Sequence, residues 1–400
     1  MIDMRLPSSI VALLAAFAVA ASGASAGGGA GDSDMAFGYG KNVRYARAIK
    51  FCDIYRSDAA LRSCLSNQLF QLVRASHDSA KELPRIDAYV ATAGGFVQRN
   101  CHILMHAVGR RYGASVHLTV GRLLDYLPRT NDANCSAGFG HGLLVYLAPQ
   151  VGAMTPDAAA AACDRAGTRY QRYSCVHGFG HAYMRLYAEQ LPFALHACRL
   201  LGPDNAADCA AGAFHDYWIA VSGLDRTRRP ANLITSPRVL CAKESGGFVR
   251  GCWYRALLEH PPTQSLRSAA SILGECRGLD GIQRGACVTA AAVVSDSDPF
   301  TQMELCQTLR RMEATDCVRG VRAPELGQSP LPVQVKLIRS CANVFHPAQA
   351  ACYRWLGTAL NVVTNGKFAD AGCGALSYSA TRDACKAGAD AYEGPLETFS

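Results

Sequence analysis

The chain is 400 residues long, half of them hydrophobic, with a formal charge of +8 and eighteen cysteines. A chain of this length can bury one large core or two smaller ones, so the cysteines do not stand in for a missing core. The Lys and Arg residues fall in short groups with no regular aromatic interleaving. That argues against nucleic-acid binding and leaves an anionic ligand, or a negatively charged cell surface, as what the charge suits.

The amino terminus carries Arg5, an apolar run from Ile10 to Ala21, and Ala24-Ser25-Ala26 ahead of a glycine cluster. This order predicts a secretory signal peptide over residues 1–26, cleaved after Ala26. Residues 27–40 are mostly Gly, Ala, Ser and Asp, too poor in apolar side chains to pack, and read as a disordered leader. No later apolar stretch reaches the length of about 18 residues that a transmembrane helix needs. The mature chain is therefore expected to be exported, periplasmic or extracellular, with no transmembrane segment. An oxidising compartment lets cysteines pair, and none lies in the signal segment.

The cysteines fall into pairs with ten or eleven residues between partners: Cys52/Cys64, Cys163/Cys175, Cys198/Cys209, Cys241/Cys252, Cys276/Cys287, Cys306/Cys317, Cys341/Cys352 and Cys373/Cys385. From Cys163 onward the pairs recur every 30 to 43 residues, the period of helical-hairpin repeats. One unit reads as follows. Thr155 caps a helix, Pro156 presets its first turn, Asp157 favours its start, and an alanine run leads to Cys163 before Gly167 stops it. A second helix then begins near Cys175. The same opening recurs as Leu191-Pro192, Ser236-Pro237 and Asp298-Pro299. Each unit is thus helix A, cysteine, turn, cysteine, helix B. Alternating β-branched runs and Asn-Gly or Asp-Gly hairpin turns are lacking, so the fold class is all-α: disulfide-stapled helical-hairpin repeats forming an α/α superhelix. Cys101 and Cys135 have no such partner upstream and are expected to bond to each other.

With Ala162-Cys163-Asp164 ending one helix and Cys175 opening the next, the architecture resembles the disulfide-stapled Sel1-like and tetratricopeptide-like helical repeats. The resemblance implies a superhelix with a concave binding face and says nothing about catalysis. Three segments follow: histidine-bearing repeats over 41–222, a connection over 223–238 containing Arg228, Arg229 and Pro230, and cysteine-stapled repeats over 239–400 that read as scaffold.

The histidines are concentrated in the first half. The stretch Cys175-Val176-His177-Gly178-Phe179-Gly180-His181 is echoed after Cys135 and after Cys209, with Gly three and His six positions beyond each cysteine. His102/His106 and His177/His181 are spaced so that both rings of a pair leave one helix face, and His141 and His215 share the phase of His181 in neighbouring units. Glycines inside these helices cost around 1 kcal/mol each relative to Ala, which points to close approach of neighbouring helices.

His102, His106, His141, His177, His181 and His215 are therefore the candidate metal ligands, enough for two ions with three imidazoles each. All-imidazole donors suit copper, zinc or iron, and three ligands per ion leave a position open for chemistry. Asp216 and Glu259 are the best-placed carboxylates for an acid or base, while Tyr183, Tyr217 and Trp218 are candidates to line a pocket. An enzyme built this way would be a metal-dependent oxidoreductase or hydrolase acting on a small-molecule or peptide ligand. The alternative is a metal-free scaffold that binds a protein partner or cell-envelope ligand. The haem-attachment, phosphate-loop, zinc-protease and serine-hydrolase motifs are all lacking.

Overall fold

A computed structural model of the chain describes residues 43–93, 95–127, 134–222, 233–259, 266, 268–295, 298–321, 331–364 and 369–390. The expected signal peptide, leader and residues 223–232 of the central connection lie outside the described residues. Residues 43–50 form a short helix belonging to a separate compact unit, and the following description concerns residues 51–400. Among the described residues every regular element is helical, as the pattern of the sequence requires, and no helix is long and apolar enough to cross a membrane.

The long helices form an inner series: α1 (Asp58–Ser76), α2 (Gly95–Ser115), α3 (Asn134–Tyr146), α4 (Arg169–Leu186), α5 (Pro203–Val221), α6 (Gly247–Glu259), α7 (Gly281–Val293), α8 (Arg311–Val318), α9 (Gln349–Thr364) and α10 (Ser379–Asp390). Each packs against the next, from α1 to α10. Shorter helices such as Pro156–Asp164 and Leu191–Leu200 precede them as the A members of the hairpins. The difference in burial follows from sequence. Every side chain of α5 from Cys209 to Ala220 is buried, whereas Pro156–Asp164 buries only Ala159 and Cys163. A helix apolar on all sides belongs inside, and one with a narrow apolar stripe belongs outside. Phe139, Phe179 and Phe214, set between the glycine and histidine of the three related stretches, are fully buried and contribute roughly 1.5–3 kcal/mol each.

All nine expected disulfides are present, including Cys101–Cys135. Seven join the A and B members of one hairpin, and Cys52–Cys64 ties the turn over 51–54 to α1. Cys101–Cys135 instead joins α2 to α3, with a Cα–Cα distance of 5.1 Å. Two of the four helix openings are capped by a side chain: Thr155 accepts from the Ala158 N–H, and Asp298 accepts from the N–H groups of Phe300 and Thr301, whereas those at Leu191 and Ser236 have no side-chain cap.

One expectation needs correction. The B helices do not begin at their cysteines. α4 starts at Arg169, where Thr168 accepts from the Gln171 N–H, and α5 starts at Pro203, so Cys175 and Cys209 sit well inside. In α4, contact with the preceding helix begins before the cysteine, since Arg172 pairs with Asp164 at 3.2 Å. The first turn of α3 is held differently, by Asp87 of helix Ser79–Ala93. That carboxylate accepts from the Ser136 N–H at 3.2 Å and from the Ser136 hydroxyl.

Candidate metal centre

Four successive inner helices bring the six candidate histidines to one place. His102 and His106 come from α2, His141 from α3, His177 and His181 from α4, and His215 from α5. Neighbouring ring centroids lie between 4.6 Å (His141–His181) and 5.9 Å (His106–His215). His141, His177, His181 and His215 are buried, and His102 and His106 are half-buried. The remaining histidines of the first half do not join: His77, His117 and His196 are exposed.

The glycines explain how helices come close enough. A Cβ at Gly138 would overlap the carbonyl oxygen of His102, and one at Gly212 would overlap that of His177. Gly138 and Gly212 thus lie against the histidine-bearing turn of the helix before, whereas the equivalent Gly178 lies against the Leu144 side chain. The energetic cost of glycine in a helix is offset by contact between backbones at the level of the rings.

Four of the rings have a close partner at one nitrogen. His181 Nδ1 lies 2.8 Å from Asp216 Oδ1, and His215 Nε2 lies 3.3 Å from Glu259 Oε1. His177 Nδ1 lies 3.0 Å from the Tyr173 hydroxyl, and His141 Nδ1 lies 3.3 Å from His106 Nε2. The opposite nitrogens of His181 and His215, Nε2 and Nδ1, are buried without a hydrogen-bond partner among the described residues. A buried polar atom left in that state costs on the order of 1–3 kcal/mol.

Burial holds His141, His177 and His215 well below the ordinary imidazole range. The neighbouring rings push the same way, as does the Arg255 guanidinium for His177 and His215. Burial also pushes the Glu259 carboxyl up to about 7, with Arg255, 3.8 Å away, pulling it back. His141, His177 and His215 are therefore neutral imidazoles at neutral pH, the protonation state that coordinates metals.

Three groups have ligand atoms that all lie within 4.8 Å of one another: His141, His177, His181 and His215; His102, His106 and His141; and His106, His181 and Asp216. A zinc ion with nitrogens at about 2.0–2.1 Å spaces them by roughly 3.3 Å, so small side-chain movements would gather each group around one ion. No cysteine competes, because all eighteen are in disulfides.

Both candidate carboxylates lie at the cluster, each on a ring nitrogen. The aromatics suggested as pocket lining do not serve that way. Trp218 is fully buried, the Tyr217 hydroxyl bonds the backbone of Ile234, and Tyr183 packs beside Phe179 and Tyr187. Two neighbours escaped the reading of the sequence. Tyr173 stands one turn before His177 on the same helix face, a spacing that could have exposed it. Arg255 takes the glycine phase after Cys252, where it reads as scaffold.

The chain matches no known protein family, curated protein or solved structure. The likeness to Sel1-like repeats accordingly rests on all-helical architecture, repeated helix-pair packing and abundant disulfides.

Proposed function

We propose that this is an exported metalloprotein whose histidine cluster holds two transition-metal ions, each with three imidazoles. His141 belongs to both histidine-only groups. Assigned to one ion with His102 and His106, it leaves His177, His181 and His215 for the other. Three protein ligands per ion leave a position for water or substrate, the condition of a catalytic rather than a structural centre. Copper, zinc and iron all suit imidazole donors. Export is supported by the nine disulfides, which persist in oxidising compartments.

The observation that carries the reading is the treatment of His181 and His215. His181 sets Nδ1 2.8 Å from the buried Asp216 carboxylate and His215 sets Nε2 3.3 Å from the largely buried Glu259 carboxylate, and the other nitrogen of each ring has no hydrogen-bond partner among the described residues. Metal-ligating histidines are oriented in just this manner, and the carboxylate raises the basicity of the ligand atom. Packing alone explains stacked rings such as His141 and His177, but not buried ring nitrogens left without a partner.

The test is elemental analysis of untagged, oxidised protein beside a His141→Ala/His181→Ala variant and the milder His106→Ala, each checked for native helicity. About two equivalents of metal are expected in the wild type, with loss in the variants while helicity is kept. No metal in the wild type, even after reconstitution with copper, zinc and iron, would make the histidines packing residues. The chain would then be a metal-free scaffold.

A further inference from the structure

A cleft of about 440 Å³ opens beside the cluster, with His106 and Asp216 in its wall. Its volume falls within the range of small-molecule sites. Four cations line it: Arg62 from α1, Arg110 and Arg111 from α2, and Arg185 from α4. Val145 and Ile219 add apolar surface.

Two of these cations face carboxylates. Asp58 faces Arg62 at 3.9 Å and is itself largely exposed, and Glu189 faces Arg185 at 3.8 Å. Asp216 is engaged by His181. Arg111 differs from Arg62 and Arg185, because its partners are neutral. Both terminal nitrogens donate to the Asn67 side-chain oxygen, at 3.2 and 3.1 Å, and the guanidinium lies over the Phe70 ring at 4.3 Å. Such partners fix a guanidinium in place without neutralising it, which is how a cation is prepared for an oxyanion.

We propose that this cleft binds the oxyanionic group, carboxylate or phosphate, of a small-molecule substrate, with Arg111 as fixed anchor and Arg110 and Arg185 closing on the anion. A ligand held there reaches the cluster at its half-buried corner, beside His106. That the ligand is a substrate rests on the metal-centre reading; that the cleft takes an oxyanion does not.

The test titrates inorganic phosphate and succinate, separately, into the full-length oxidised protein before and after chelator treatment, with heat of binding as the readout. Saturable binding of at least one probe is expected, weakened about tenfold or more by Arg111→Gln and by Arg110→Gln/Arg185→Gln with helicity unchanged. The tighter probe identifies the anionic group. Lys243→Gln/Lys386→Gln, which removes equal charge from exposed positions outside the cleft, should leave binding unaltered. Absence of binding by both probes, full binding in the arginine variants, or equal loss in the lysine control would each overturn the proposal. Metal content of the same samples separates the two ideas. Metal without anion binding removes the cleft alone, and arginine-dependent anion binding without metal supports the cleft and removes the centre.

Discussion

Asp216 and His181 face each other across two helices with an oxygen–nitrogen distance of 2.8 Å, both side chains withdrawn from solvent. If the pair orients a ligand, removing the charge while keeping an acceptor should weaken the metal without disturbing the fold. Asp216→Asn is expected to lower metal affinity about 10–100-fold at unchanged helicity. Competition with a chromophoric chelator measures this, and equal affinity in both proteins would deny Asp216 that role.

Gly212 and Gly274 offer a matched contrast. A Cβ at Gly212 meets the His177 backbone, which cannot move aside, while a Cβ at Gly274 meets nothing. Gly212→Ala should destabilise by about 1–3 kcal/mol and distort the cluster. Gly274→Ala should be neutral or stabilising by up to about 1 kcal/mol. Denaturant midpoints would reveal the difference in sign.

The cross-helix disulfide should be worth more than an ordinary staple. Cys101 and Cys135 are 34 residues apart, against 12 for Cys163 and Cys175. Loop entropy then predicts about 1 kcal/mol more destabilisation when Cys101–Cys135 is replaced by two alanines than when Cys163–Cys175 is. The first replacement also frees the helices carrying His102, His106 and His141, so it alone should reduce metal content. Equal metal content in the two variants would argue against that coupling.

Asp298 caps helix Pro299–Gln307, accepting from the N–H groups of Phe300 and Thr301 and from the Thr301 hydroxyl. The Thr301 hydroxyl and these backbone bonds hold its carboxyl below the ordinary value. A carboxylate with a depressed folded-state value contributes stability that is present above the unfolded value, about 3.9, and lost as pH falls through the folded one. Asp298→Ala should therefore cost about 1 kcal/mol at neutral pH, a difference that shrinks as the solution is acidified below about pH 4. Parallel urea titrations across that window would show the convergence; a gap that widened in acid would contradict the sign.

The disulfides and the histidine set were legible because both are matters of period. A staple between consecutive helices repeats with the unit, and rings in one phase of successive helices must meet if the helices stack. Helix starts were less legible. Thr168 and Pro203 fix them by capping and by a preset backbone angle, whereas the cysteine is the more conspicuous signal. The partners of the rings were legible only in part. Asp216 follows His215 in sequence but touches His181, a pairing set by how α4 and α5 are rotated against each other. Arg255 occupies a phase held elsewhere by glycine, so it looked like the end of the pattern although it lies within reach of Glu259. The cleft was beyond reach, since its arginines come from three helices with no shared spacing.

The six rings come from α2 through α5, and no single hairpin supplies more than two of them. The cluster is thus a property of stacking order, not of any one module. Repeats beyond α6 can be lost, gained or shuffled during evolution without touching a ring, whereas one inserted between α2 and α5 would divide the centre in two. The centre thus constrains the order of α2 to α5 and makes no demand on the helices that follow α6.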